Sequence, residues 1–90
     1  MKFFGGAKSR STVREARALA AEAIERLAQE QQLGELMIID DAVVETASAW
    51  YFPYDSIAFI LHGDIAAALA GNLPARVAKD DASVTFAVPQ

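Results

Sequence analysis

The 90-residue chain contains no cysteine and only one histidine, His62. Without cysteine it can form neither a disulfide framework nor a thiolate zinc site, and this composition suits a reducing compartment. A site built from several histidine ligands is also excluded. We interpret His62 as a solvated residue at the end of a short helix.

Long apolar segments are missing as well. No run of residues approaches the ~18 consecutive apolar positions that a membrane-spanning helix needs. The first eight residues, Met-Lys-Phe-Phe-Gly-Gly-Ala-Lys, lack the apolar stretch of a secretory signal. We therefore expect a cytoplasmic protein with no membrane partner.

Positive charge is scarce over most of the chain. Five basic residues and one acidic residue give residues 1–17 a net charge of +4, whereas three basic and eleven acidic residues give residues 18–90 a net charge of −8. A nucleic-acid surface needs clustered lysine and arginine to displace counterions from phosphates. We expect no nucleic-acid partner, and we divide the chain into a flexible basic arm, residues 1–11, and a single domain, residues 12–90.

The first predicted element is an amphipathic helix. Thr12 and Glu15 have the spacing of a capping box, in which each side chain satisfies a free backbone amide of the other residue. Apolar residues then recur at spacings of three and four, as on one face of a helix. These residues are Val13, Ala16, Ala20, Ile24 and Leu27. Gly34 is placed where a left-handed residue would end the helix.

The next segment predicts strands. Residues 36–39 form a continuous apolar run, and the segment 42–46, Ala-Val-Val-Glu-Thr, follows after Asp40-Asp41, which leaves open one bent strand or two short ones. From Trp50 to Asp55, three rings alternate with other residues, so Trp50, Phe52 and Tyr54 share one face of a strand. Pro53 lacks an amide donor and should place this strand at an edge or in a bulge.

Two helical turns and a hairpin complete the predicted fold. Ser56 can cap a short helix that ends at Gly63, and Asp64 can cap a second helix that ends at Gly71. Asn72 can hold a turn before Pro74. Residues 76–79 and 83–88 then predict a hairpin with Val84, Phe86 and Val88 on one face. We predict an α+β fold: an N-terminal amphipathic helix packed on an antiparallel sheet of three to four strands, with short helical turns before the last hairpin.

Catalytic and metal sites have weak support in these residues. Ser56 follows Asp55, but no G-x-S-x-G elbow surrounds it, and helix capping explains it better. The acidic pairs at 40–41 and 80–81 lack the ligand spacing of a calcium loop. Gly71-Asn72 lacks the glycine run of a phosphate loop, and the ring-rich strand has no basic neighbours to suggest nucleic-acid stacking. We predict no enzyme activity, no cofactor and no metal.

The block from Trp50 to Pro74 carries a resemblance to a known family. It has a tryptophan and aromatic strand, a serine shortly after, a Gly-Asp step, and an L-x-G-N-x-P turn that leads into a valine-bearing strand. The residues are Trp50, Phe52, Ser56, Gly63, Asp64, Leu69, Gly71, Asn72, Pro74 and Val77. In this pattern the chain resembles the immunity protein 35 domains of bacterial polymorphic toxin systems and related small stress-associated proteins, from about residue 12 onward.

The resemblance implies an immunity protein that binds its cognate toxin and blocks the toxin's active site by occupancy. The alternative is a small chaperone-like stress protein that binds unfolded clients. For the toxin interface we expect exposed carboxylates and tyrosine rings that folding leaves unused. These residues are Glu45, Tyr51, Asp55 and Asp64, with Tyr54 if its hydroxyl reaches solvent.

Overall fold

A computed structural model describes residues 12–89 of the chain. The predicted basic arm, residues 1–11, lies outside the described residues. Within them, the elements follow one another as a long helix, four short strands, a helical corner and a final hairpin. This arrangement confirms the predicted α+β class.

Helix α1, Val13–Gln31, begins with the predicted capping box. The Thr12 hydroxyl accepts the amide of Glu15 at 3.2 Å, and the Glu15 carboxylate accepts the amide of Thr12 at 2.9 Å. Four residues at intervals of four form the buried face, namely Ala16, Ala20, Ile24 and Ala28. Three of the four are alanines, so the helix backbone can approach the sheet closely.

The residue that ends α1 differs from the prediction. The left-handed residue is Gln32, with φ 54° and ψ 50°, and its amide donates to the carbonyl of Ala28. Gly34 is also left-handed, with φ 75°, but it lies two residues further on. Assigning the helix end to Gly34 was therefore wrong, because a non-glycine residue adopts the strained conformation first.

Two short strands follow α1, which resolves the alternative left open by the sequence. Strand β1 spans Leu36–Ile38 and strand β2 spans Val44–Glu45. A single 3₁₀ turn, Asp40–Ala42, separates them. Strand β1 belongs to a two-stranded sheet and strand β2 to a four-stranded sheet.

The aromatic segment also divides, at Pro53. Strand β3, Ala49–Phe52, lies in a four-stranded antiparallel sheet of order β2-β3-β5-β6, in which β5 is Ala75–Ala78 and β6 is Val84–Phe86. Strand β4, Tyr54–Ser56, pairs with β1 in a separate two-stranded sheet. Pro53 has no amide to donate, but its carbonyl accepts the amide of Ile39 at 2.9 Å. The proline thus marks the point where the chain passes from one sheet to the other.

The core lies between α1 and the four-stranded sheet. Phe52 and Val77 are fully buried at its centre. Trp50 and Phe86 pack against this cluster from its margin and stay half-buried. In the final hairpin, Val84 and Phe86 face the core as predicted, but the strand ends at Phe86 and Val88 is exposed.

Candidate partner-binding surface

A helical corner, residues 57–73, connects strand β4 to strand β5. Helix α2, Ile57–His62, opens it, and the Ser56 hydroxyl caps that helix by accepting the amide of Phe59 at 3.0 Å. Gly63 ends the helix with φ 69°. Both capping predictions are confirmed, and His62 lies exposed in the last turn, also as predicted.

The second half of the corner is less helical than predicted. Asp64 caps it as expected, accepting the amide of Ala66 at 3.2 Å, but only a 3₁₀ turn, Ile65–Ala67, forms. The backbone becomes extended at Ala68, with φ −67° and ψ 137°, so the prediction of a second helix that continues to Gly71 was wrong. Gly71 has φ 75°, which confirms the left-handed turn predicted there.

Two side chains bind the corner to the sheet. One carboxylate oxygen of Asp55 accepts the amides of Ser56 at 2.7 Å and Leu69 at 2.9 Å. The Asn72 amide nitrogen donates to the carbonyl of Tyr54 at 3.1 Å. Asp55 was expected to be unused by folding, and this expectation was wrong because its carboxylate closes a loop of fourteen residues.

Both tyrosines are buried, so the expectation of an exposed Tyr51 ring was wrong and the ring of Tyr54, named only on the condition that its hydroxyl reaches solvent, is also enclosed. Tyr51 is 5% exposed and Tyr54 is 3% exposed. Tyr51 lies beside Arg76, whose Nε donates to the tyrosine hydroxyl at 3.1 Å. Tyr54 packs edge-on against Phe86, with ring centroids 6.1 Å apart, and burial raises the pKa of its hydroxyl. Tyr51 therefore links neighbouring strands of the four-stranded sheet and Tyr54 links the two sheets, and both rings offer little area to a partner.

Glu45 remains exposed on the edge strand β2, as expected. Its carboxylate accepts the Lys79 ammonium at 2.6 Å, and the same ammonium lies 4.7 Å from the centre of the Trp50 ring. Lysine, glutamate and tryptophan thus form a small cluster on the helix side of the sheet. The indole nitrogen of Trp50 is buried and has no hydrogen-bond partner among the described residues.

Sequence reasoning missed the apolar surface of the corner. Leu61 is 61% exposed, Ile65 is 81% exposed and Leu73 is 43% exposed. The sequence of residues 57–61, Ile-Ala-Phe-Ile-Leu, indicated this surface. It places apolar side chains on all sides of the six-residue helix α2. Such a helix cannot bury every side chain against one sheet, so part of it must face solvent.

Residues 55 and 56 do not form a catalytic pair. The Asp55 carboxylate accepts the backbone amide of Ser56, while the Ser56 hydroxyl is used as a cap. Within residues 12–89, no three histidine, cysteine or carboxylate side chains are grouped to hold a metal ion. Among the helices of that same part of the chain, none has the length and apolar character needed to cross a bilayer.

A groove lies elsewhere, between α1 and β1, with a volume of about 790 Å³. Charges of both signs line it, from Arg17, Glu25 and Glu35, and the floor contains Ile24 and Ile38. Arg17 is already paired with Asp40. The two remaining carboxylates, Glu25 and Glu35, do not by themselves identify a ligand.

Comparison with models of known protein families gives a match over most of the chain. The family model described as immunity protein 35 matches residues 14–90. No curated protein and no solved structure matches the chain significantly. Since the matched region contains all but the first residue of α1, both sheets and the whole helical corner, the chain belongs to the immunity protein 35 family.

Proposed function

We propose that this protein neutralises one cognate toxin of a bacterial polymorphic toxin system by binding it and covering its active site. The observation that carries the proposal is the family match over residues 14–90. Inhibition by occupancy requires a rigid shape and a surface that excludes water, and it requires no chemistry from the inhibitor. The proposed site of action is the cytoplasm of the producing cell.

Charge supports an encounter with a basic toxin surface. Residues 18–90 carry a net charge of −8. An acidic body attracts a basic cleft over distances of about one Debye length, ~8 Å at physiological salt, and mainly raises the association rate. An interface of standard size, roughly 1,600 Å², can supply nanomolar binding, which is worth about −12 kcal/mol.

Two of the five expected contact residues keep an exposed carboxylate, and we propose that these two meet the toxin. They are Glu45 on the edge strand and Asp64 in the helical corner. Asp55, Tyr51 and Tyr54 are tied into the fold by the contacts described above. We propose that these three act indirectly, by fixing the surface that carries the contacts.

The test removes charge while keeping shape, with the double variant Glu45→Gln and Asp64→Asn. The asparagine oxygen can still accept the amide of Ala66, so the corner should stay folded. We expect the association rate with the neighbour-encoded toxin to fall at least about tenfold at low salt and to lose most of its salt dependence.

The matched control is Glu22→Gln with Glu30→Gln, which removes the same charge from exposed positions of α1. It should change the rate much less. Equal effects of the two double variants would show that only the net charge matters, and the proposed contacts would be wrong.

Cell survival separates the toxin role from the chaperone alternative. Co-expression with the neighbour-encoded toxin should protect cells, and toxins encoded elsewhere should still kill them. If the protein instead slows the aggregation of several unrelated unfolded clients and gives no protection, the chaperone function replaces the proposed one.

A further inference from the structure

We propose that the exposed apolar cap of the helical corner, defined as Leu61, Ile65 and Leu73, is the centre of the toxin interface. The partner surface is an apolar cleft on the toxin bordered by lysine or arginine side chains. This inference rests on the proposed function and names the part of the protein that performs it.

The corner differs from the rest of the described chain in its exposure. None of the seventeen residues from Ile57 to Leu73 is buried, although most of them are apolar. Ile65, at 81%, and Leu61, at 61%, are the most exposed large apolar side chains of residues 12–89. Single exposed apolar residues are common, but here three large ones occur in one connecting segment, a pattern typical of protein interfaces.

Hydrogen bonds hold this apolar segment in one shape. Caps at Ser56 and Asp64 order its two helical turns, and the Asp55 carboxylate fixes its far end through the amide of Leu69. The Asn72 side chain fastens its last turn to strand β4. A surface ordered before binding loses less conformational entropy on association, so its apolar contacts yield more net affinity.

Charge selects the kind of partner. From Pro53 to Ala75 the chain contains two carboxylates, Asp55 and Asp64, and no lysine or arginine. Asp64 is exposed and directly precedes Ile65, so one carboxylate lies beside the apolar centre. The matching surface is apolar at its centre and basic around it.

The same charge disfavours two other occupants. The headgroup surface of bacterial and cytoplasmic-face membranes is commonly anionic, and it would repel the carboxylate beside Ile65. A second copy of the chain would bring a second Asp64 toward the same apolar centre in a two-fold interface. A basic protein cleft would attract the Asp64 carboxylate instead of repelling it.

The experiment uses the full chain and the purified neighbour-encoded toxin, with the double variant Leu61→Gln and Ile65→Gln. Glutamine keeps the length and helix propensity of these positions while removing the apolar surface. We expect Kd for the toxin to rise at least about 100-fold, with unchanged thermal unfolding. The matched control is Val13→Gln with Val88→Gln, two exposed valines outside the corner, which should change Kd less than about threefold.

Each outcome decides the inference. If the wild-type chain binds the toxin and the corner variant binds equally well, the inference is wrong while the proposed function stands. If the wild-type chain does not bind the toxin at all, the proposed function fails first. If the double variant unfolds more easily, Ile65→Gln alone replaces it, since this side chain is largely in solvent, and an unchanged Kd for that variant again overturns the inference.

Two further results would assign the corner to another occupant. Sedimentation showing that the wild-type chain is a dimer and the corner variant a monomer, with toxin binding unchanged, would place a second copy there. Loss of binding to unfolded clients with toxin binding unchanged would make the corner a client-binding surface.

Discussion

Asp55 shows how a single side chain can look free in the sequence and be occupied in the structure. Its carboxylate accepts two backbone amides, those of Ser56 and Leu69. We predict that Asp55→Ala lowers the free energy of unfolding by about 1–3 kcal/mol, because both half-buried amides lose their acceptor. Asp55→Asn keeps an oxygen at that position and should cost less. Urea unfolding of both variants measures the difference, and equal stability of the alanine variant and wild type would contradict the structural role.

Trp50 and Phe52 share a strand face but differ in burial. Phe52 is fully buried, so Phe52→Ala should lower the free energy of unfolding by about 3–5 kcal/mol. Trp50 is only half-buried, and Trp50→Ala should cost about 3 kcal/mol, near the lower end of that range. Thermal unfolding ranks the two variants. Normal stability of Trp50→Ala combined with lost toxin binding would instead make Trp50 a contact residue.

At the scale of the elements, Gly71 tests the turn that returns the chain to the sheet. Its φ of 75° suits glycine, and a Cβ added there would meet no atom within 4 Å. Any cost of substitution therefore comes from the backbone angle alone. We predict that Gly71→Val destabilises the protein by more than about 1 kcal/mol, since a β-branched residue tolerates this angle poorly.

The control for the turn is Gly71→Asn, because asparagine enters the left-handed region more readily than other non-glycine residues. Thermal unfolding should place the asparagine variant between valine and wild type. If valine and asparagine cost the same, backbone strain at this position would not be the cause.

An ion pair joins α1 to the first 3₁₀ turn. The Arg17 guanidinium contacts both carboxylate oxygens of Asp40, at 2.7 and 3.0 Å, and this hydrogen bonding lowers the pKa of Asp40. The pair therefore stabilises the fold above the unfolded pKa of about 4, and this stabilisation disappears as the pH falls through the lower pKa of the folded protein.

We predict that Asp40→Asn lowers the free energy of unfolding at pH 7 by less than about 1 kcal/mol, since both side chains are exposed and solvent screens them. The difference from wild type should shrink as the pH falls through the lowered pKa of Asp40, because protonation then removes the carboxylate charge from the wild-type pair. Thermal unfolding at pH 7 and over a series of acidic pH values measures it, with Asp41→Asn as the control. A difference that stays constant with pH would rule out the ion pair as its source.

The elements with a local physical signal were predictable from the sequence. The capping box at Thr12, the serine cap at Ser56 and the left-handed Gly71 each depend on residues within four positions of one another. The helix end at Gln32 was not predictable, because a non-glycine residue adopts a strained angle there while Gly34 offers an easier one nearby. The division of strands between two sheets depends on the long-range pairing of β1 with β4, which no local pattern contains.

The candidate binding surface was harder to predict than the fold. Exposure of a tyrosine depends on what the rest of the chain places against it, and Arg76 and Phe86, both more than twenty residues away, are the neighbours of Tyr51 and Tyr54. The apolar corner carried a visible signal in its uninterrupted apolar run. From the sequence alone, an apolar run at residues 57–61 is equally consistent with a buried helix, and only the packing of α2 shows that these residues are not buried.

For the molecule as a whole, stability and proposed binding draw on different regions. The core lies between α1 and the four-stranded sheet, whereas the most exposed apolar side chains lie in the helical corner outside it. A protein that inhibits by occupancy can therefore present an apolar surface without weakening its own core. Substitutions at the exposed end of the corner should affect partner binding far more than they affect the free energy of unfolding.

The most direct measurement of the central claim is the activity of the purified neighbour-encoded toxin, titrated with this protein. Tight occupancy of the active site predicts that toxin activity falls linearly and reaches zero at one molecule of protein per molecule of toxin. Full toxin activity at a large excess of the protein would contradict the account.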